Sequence, residues 1–216
     1  MNRKGEQVSL PNEIINSINL ACDFVLDGEI IGNTLHVFDI LSININDLKY
    51  LSCSRRIEEL NSFNFGSHIK IVQTARTTEE KKSMFERIKS EKGEGIVFKN
   101  KKSPYTVGRP ASGGSQVKHK LYKTATFIVQ DITKGKRSIG LSLIGENGEK
   151  IFVGRCTISS NFEMPEINDL VEVRYLYAFL GGAVYQPTFL GKRDDLDMKD
   201  AVITQLVYKQ ENETEV

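Results

Sequence analysis

The sequence predicts an α+β chain, and three patterns predict it. Strand-like apolar runs open the chain, two segments of helical spacing precede residue 94, and short alternating strands fill the second half. At 216 residues, 39% apolar and 26% charged, it can form one large or two small globular domains. No apolar run approaches the roughly 20 residues of a membrane span, and the opening Met-Asn-Arg-Lys-Gly-Glu lacks the apolar core of a signal peptide. Cys22, Cys53 and Cys156 are scattered with no Cys-x-x-Cys pair. That argues against zinc and a disulfide framework and for free thiols in a reducing cytoplasm, with no membrane partner.

In chain order, residues 23–31 read as a strand, Gly32-Asn33 as a two-residue turn, and residues 34–41 as the returning strand. This hairpin brings Glu29 near Phe38. Asn46 or Asp47 can cap a helix running to about Phe63, with Leu48, Leu51, Ile57 and Leu60 near helical spacing. Residues 68–73 read as a strand. Thr77 or Thr78 begins a second helix, with Glu79 and Glu80 in its first turn, Met84, Phe85 and Ile88 on its apolar side, and Gly93 ending it. Residues 95–99 form a short strand, residues 103–115 a Pro/Gly/Ser-rich loop, and residues 117–121 a strand that puts Lys118 and Lys120 on one face. Strands are then expected over 126–132, 139–144, 151–155, 170–178 and 184–190. Five short strands with tight turns suggest a small barrel of the oligonucleotide-binding type. Residues 209–216 are polar and read as a frayed end.

The net charge of +1 hides an asymmetry. Residues 98–137 carry ten Lys or Arg and one acid, Asp131, a local +9 that leaves −8 for the rest. A basic band in a nearly neutral protein suits a polyanion or a triphosphate; composition alone fits a solvated lysine-rich surface equally well. The acids Glu29 and Glu94, the ring of Phe38 and the pair Lys118 and Lys120 can together hold a nucleoside triphosphate with its metal. His36, His68 and His119 lack metal-ligand spacing and read as structural.

These strings form a ladder that resembles the motifs of the ATP-dependent DNA ligases, within the covalent nucleotidyltransferases that include RNA ligases and capping enzymes. Asp27-Gly28-Glu29 resembles the third motif, Phe38-Asp39-Ile40-Leu41 the aromatic motif after it, and Glu94-Gly95-Ile96-Val97 the fourth. Lys118-His119-Lys120 resembles the fifth, and residues 186–195, from Gln186-Pro187 to Asp194-Asp195, the sixth. Asn2-Arg3-Lys4-Gly5 with Leu10-Pro11 looks like the segment just after the nucleophile. The Arg109-Pro110 loop and the Gly191–Asp195 stretch are most similar to phage-type members. The chain departs from the pattern twice. It contains no Lys-x-Asp-Gly, the motif whose lysine takes AMP, and Leu196 stands where the sixth motif usually has a lysine.

The resemblance implies a partial, ATP-grasp-like nucleotidyltransferase (adenylation) domain over 1–122, an OB-fold domain over 123–200, and a C-terminal extension over 201–216. It implies a ligase of DNA repair or replication, in phage or bacterial host cytoplasm, that seals nicks in double-stranded DNA through enzyme-AMP and DNA-AMP intermediates. ATP and Mg²⁺ would be its cofactors. Each step is displacement at phosphorus, in which positioning and charge neutralisation carry the catalysis. Glu94 would bind Mg²⁺; Glu29 would contact the ribose or a metal-bound water; Phe38 would stack on adenine. Lys118 and Lys120 would hold the α-phosphate, Arg3 would position the phosphate or the nick, and Arg193 and Asp195 would touch pyrophosphate. Lys101, Lys102, Arg109, Lys123, Lys134, Lys136 and Arg137 would pair DNA phosphates without reading sequence. Without the nucleophile, the chain alone is expected not to form enzyme-AMP, and a separate chain could supply the lysine. An RNA ligase or capping-type enzyme, and a non-catalytic nucleic-acid-binding module on a ligase scaffold, stand as alternatives.

Overall fold

A computed structural model describes residues 5–19, 21–108 and 114–209. They divide into two compact units, one gathering the described residues of 1–82 and 97–118, the other those of 83–96 and 119–213.

In the first unit, β1 (Phe24–Ile31) and β2 (Thr34–Ile43) form the expected antiparallel hairpin around Gly32-Asn33. Beyond β2 the chain turns at Asn44, whose φ of +51° is left-handed, and returns as the two-residue strand β3 (Asn46–Asp47). The helix expected from Asn46 or Asp47 therefore does not start there. Asp47 spends its carboxylate on the Lys49 amide (2.9 Å) in a local turn. The helix, α2 (Cys53–Asn61), starts after Ser52, whose hydroxyl accepts from the Arg55 amide. Its buried stripe is Cys53, Arg56, Ile57 and Leu60, at helical spacing, while Leu51 stays outside it and is 37% exposed. β4 (Ile69–Ile71) runs parallel to β2, and a short helix the sequence did not announce, α1 (Asn12–Asn16), sets Ile14 into the core. That core joins Ile14, Val37, Ile40, Ile57, Leu60 and Ile69.

Helix α3 (Thr78–Ser90) opens with the reciprocal bonds of a capping box: Thr77 Oγ1 accepts from the Glu80 amide, and Glu80 Oε2 from the Thr77 amide. At its end the left-handed residue is Lys92 (φ +53°), not Gly93. Gly93 donates its amide to the Ile88 carbonyl (2.8 Å) so closely that a Cβ there would lie 2.8 Å from the Ile88 side chain. β5 (Gly95–Lys99) and β6 (Gln116–Lys120) form a two-stranded sheet.

The second unit is built on an antiparallel sheet of β7 (Lys123–Ile132), β8 (Ser138–Ile144), β9 (Lys150–Thr157), β10 (Leu170–Tyr175) and β11 (Thr188–Lys192), ordered β11-β10-β7-β8-β9. Among the described residues no ladder joins β9 to β11, so the sheet is open rather than a closed barrel. The strand expected over 170–178 ends at Tyr175. The one expected over 184–190 starts at Thr188, and Val184 is left to a single bridge with Ala178. Positive φ at Gly181, Gly182 and Gln186 breaks the extended chain there. Residues 125–129 and 139–143 are buried without alternation, as strands covered on both faces must be. Part of the cover comes from residues 201–209, the start of the expected extension. Ala201 and Leu206 join the core, and Gln205 exchanges amide bonds with the Thr126 backbone. Cys53 and Cys156 are buried free thiols and Cys22 is half-buried. No helix among the described residues is long and apolar enough to cross a membrane.

Candidate functional site

In the first unit the hairpin register slips between Asp27 and Gly28, and Phe38 falls opposite that step, while Glu29 pairs with His36. A Cβ on Gly28 would stand 2.7 Å from the His36 carbonyl. The glycine beside Glu29 is thus required by the approach of β2. The ring of Phe38 is half-buried, and Glu29 is exposed next to it along the hairpin.

Immediately after Phe38 comes Asp39, fully buried. A buried carboxylate must be paired, and Arg56 from α2, itself only 2% exposed, meets it in fork geometry through Nε (2.8 Å) and Nη2 (3.1 Å). Arg56 Nη1 donates to the Leu51 carbonyl (2.6 Å), and its guanidinium lies over the Tyr105 ring at 5.7 Å. Lys99, from β5, stands 3.5 Å from Asp39 Oδ2, donates to the Phe38 carbonyl (2.9 Å) and lies over the Phe38 ring at 5.2 Å. Tyr105 donates its hydroxyl to Asp27 (2.8 Å). Burial, followed by that carboxylate, pushes its phenol up to about 12. Asp39, Arg56, Lys99 and Tyr105 were given no role from the sequence. A signal existed: an acid inside the apolar run Val37-Phe38-Asp39-Ile40-Leu41, and an arginine within the apolar stripe of α2.

In the second unit Glu94 is exposed at the entrance to β5. Gly95 after it has φ +147°, and a Cβ there would collide with the His119 carbonyl. Both acid-glycine strings thus owe their glycine to a neighbouring strand. Burial and the Glu94 carboxylate push the Tyr177 hydroxyl pKa up. Lys120, half-buried, donates to Gln186 (2.7 Å), and Lys118 is exposed two residues before it. His119 between them places its ring 5.8 Å from that of Phe85, a structural contact. Arg193 and Asp195 hold each other through two 2.7 Å bonds, which raise the arginine's pKa and lower the aspartate's. Glu29, Phe38 and Lys118 fall in the first unit; Glu94, Lys120, Arg193 and Asp195 in the second.

Of the basic residues, Lys101, Lys102, Lys134 and Lys136 are exposed. Lys123 donates to the Leu121 carbonyl, and Arg137 commits its guanidinium to the carbonyls of Ile158, Ser159 and Phe162. Arg3 and Arg109 lie outside the described residues.

Residues 29–120 match the family model of the ATP dependent DNA ligase domain, so the resemblance read from the motifs holds over that segment. No curated protein matches the sequence. Among solved structures, the chain is similar to a Lig E DNA ligase described as binding DNA with a minimal scaffold. The two are 19% identical with a TM-score of 0.56, over 74% of this chain and 63% of that one. It is also similar to the structure named Pmar-Lig_Pre, at 17% identity and a TM-score of 0.62, over 85% of this chain and 55% of that one. These likenesses are of fold, and the chain spans less than two thirds of either length.

Proposed function

We propose that this chain is the nucleotide- and DNA-contacting part of an ATP-dependent DNA ligase that seals nicks in duplex DNA. The observation that carries the reading is the hairpin of β1 and β2. It sets a half-buried ring, Phe38, beside an exposed carboxylate, Glu29, at the start of the segment that matches the ligase domain. In this reading Phe38 stacks on adenine, Glu29 contacts the ribose, and Lys118 and Lys120 neutralise the α-phosphate. Arg193 and Asp195, now paired to each other, meet pyrophosphate by exchanging that pairing. The five strands of the second unit serve as the oligonucleotide-binding domain over 123–200, after a partial adenylation domain over 1–122. Exposed Lys101, Lys102, Lys134 and Lys136 pair phosphates of the duplex.

No three His, Cys, Asp or Glu side chains cluster among the described residues. Mg²⁺ takes one or two carboxylates and keeps water and phosphate oxygens for its other positions; the exposed acids Glu94 and Glu29 would each supply such a carboxylate. Bound there, Mg²⁺ supplies charge neutralisation at the phosphate oxygens. The nucleophilic lysine belongs to a segment or chain carrying Lys-x-Asp-Gly, which this sequence lacks.

The test is labelled ATP with Mg²⁺, followed by nicked DNA. Reversible ATP binding without a covalent adduct, together with salt-sensitive binding of nicked duplex, is expected, and adding a chain that bears the missing motif should restore sealing. Covalent labelling of this chain alone would remove the missing-nucleophile element. Tight DNA binding with no ATP binding would favour the non-catalytic module. Preference for nicked RNA would move the reading to the RNA ligases.

A further inference from the structure

On the reading that Phe38 receives the adenine, we propose that Lys99 is a positioning residue for base recognition. Its ammonium, fixed by buried Asp39 and Arg56, orients the Phe38 ring and prepares the opposite face for a purine. Lys99 is held from three directions. The Phe38 carbonyl accepts at 2.9 Å, Asp39 Oδ2 lies at 3.5 Å, and the ring centroid lies at 5.2 Å. Only 21% of the Lys99 side chain is exposed. Asp39 cannot swing away, because Arg56 grips both its oxygens and is anchored in turn on the Leu51 carbonyl. One carboxylate thus faces two cations, and the second cation spends its remaining field on the ring.

A cation over one face of a benzene ring draws on the negative π surface. The opposite face becomes less repulsive towards the π cloud of an electron-rich base, and the carbonyl bond at the same residue fixes how the ring stands. Among the described residues no other aromatic ring stacks on Phe38. Lys99 touches no ligand in this account. It acts through Phe38, so its loss should alter recognition of the base and leave recognition of the phosphates alone.

The measurement is binding of ATP and of inorganic tripolyphosphate by the full chain. It is joined by the loss of absorbance at the adenine band on stacking, which is readable because the protein has no tryptophan. Lys99→Gln keeps a donor for the carbonyl and removes the charge; Lys99→Arg keeps both. Lys99→Gln should weaken ATP binding about fivefold, the order of a partly desolvated cation–π contact, and diminish the absorbance change. Tripolyphosphate affinity should stay as it was, and Lys99→Arg should behave like the unaltered chain. Should Lys99→Gln fail to fold, Lys99→Met is compared in its place. Equal losses for ATP and tripolyphosphate would make Lys99 a phosphate contact and overturn the inference. An unchanged ATP affinity and absorbance signal would overturn it as well. The ligase reading fails separately: if the unaltered chain shows no adenine signal, or Phe38→Leu leaves that signal intact, Phe38 is not the stacking ring and the role of Lys99 falls with it.

Discussion

The two units hold themselves together in different ways. Among the described residues the second has nineteen buried apolar side chains in one cluster, from Ala125 to Leu206, and its central strands are buried on both faces. The first has eight, and beside them a buried aspartate, a buried arginine and a partly buried lysine. Burying apolar surface stabilises at roughly 25 cal/mol per Å² and asks little of geometry. A buried ion pair costs desolvation that its attraction barely offsets, and replacing it by well-packed hydrocarbon is often neutral or better. An arrangement so poor in net stability has another use. Here it holds Lys99 against the Phe38 carbonyl and over its ring, the ring to which the proposed adenine contact is assigned.

The largest expected effect tests the ion pair directly. Asp39→Ala strands Arg56 in the core and should cost about 3–5 kcal/mol in denaturant unfolding. The double change Asp39→Leu with Arg56→Met should recover most of that stability while ATP binding stays weak. If the double variant binds ATP like the unaltered chain, the contrast between the units is one of stability only. Next in size, Leu141→Ala, in the centre of the second unit, should cost about 3 kcal/mol in denaturant unfolding through lost burial and a cavity. A cost well below that would show that the second unit does not rest on its apolar cluster.

A smaller effect concerns pH. The Tyr105 phenol, raised to about 12 by burial and Asp27, favours its neutral form in the folded state. Its contribution is fully present below about pH 10, the ordinary phenol value, and is lost as pH rises through the folded value. The stability gap between the unaltered chain and Tyr105→Phe should shrink across that window in parallel melts; a gap constant with pH would remove Tyr105 from the network. The smallest effect is expected at Arg193 and Asp195, a surface pair whose carboxylate is mostly exposed. Arg193→Gln should leave the melting temperature unchanged, and a clear drop would show that the second unit also relies on charge.

Much of this was legible in residue order. The β1/β2 hairpin followed from Gly32-Asn33 between apolar runs, the start of α3 from Thr77 or Thr78 with Glu79 and Glu80 in its first turn, and the short strands of the second unit from their turns. The start of α2 was misread because Asn46 and Asp47 serve turns as readily as helix caps, and only the pairing of β3 with Ser42 and Ile43 decides between those uses. The strand expected over 184–190 failed at Gln186, whose left-handed backbone no residue type announces.

By itself the sequence determined which chemical groups are present and in what order: acid-glycine strings, a ring, alternating lysines, and no Lys-x-Asp-Gly. Local spacing is enough for that, because strand alternation and helix capping act over a few residues. Only the tertiary structure decided that Asp39 meets Arg56, 17 residues on, and Lys99, 60 residues on. Only it fixed the sheet order β11-β10-β7-β8-β9. Charge pairing and strand register depend on which distant segments share a desolvated neighbourhood, and that neighbourhood exists only once the chain has folded.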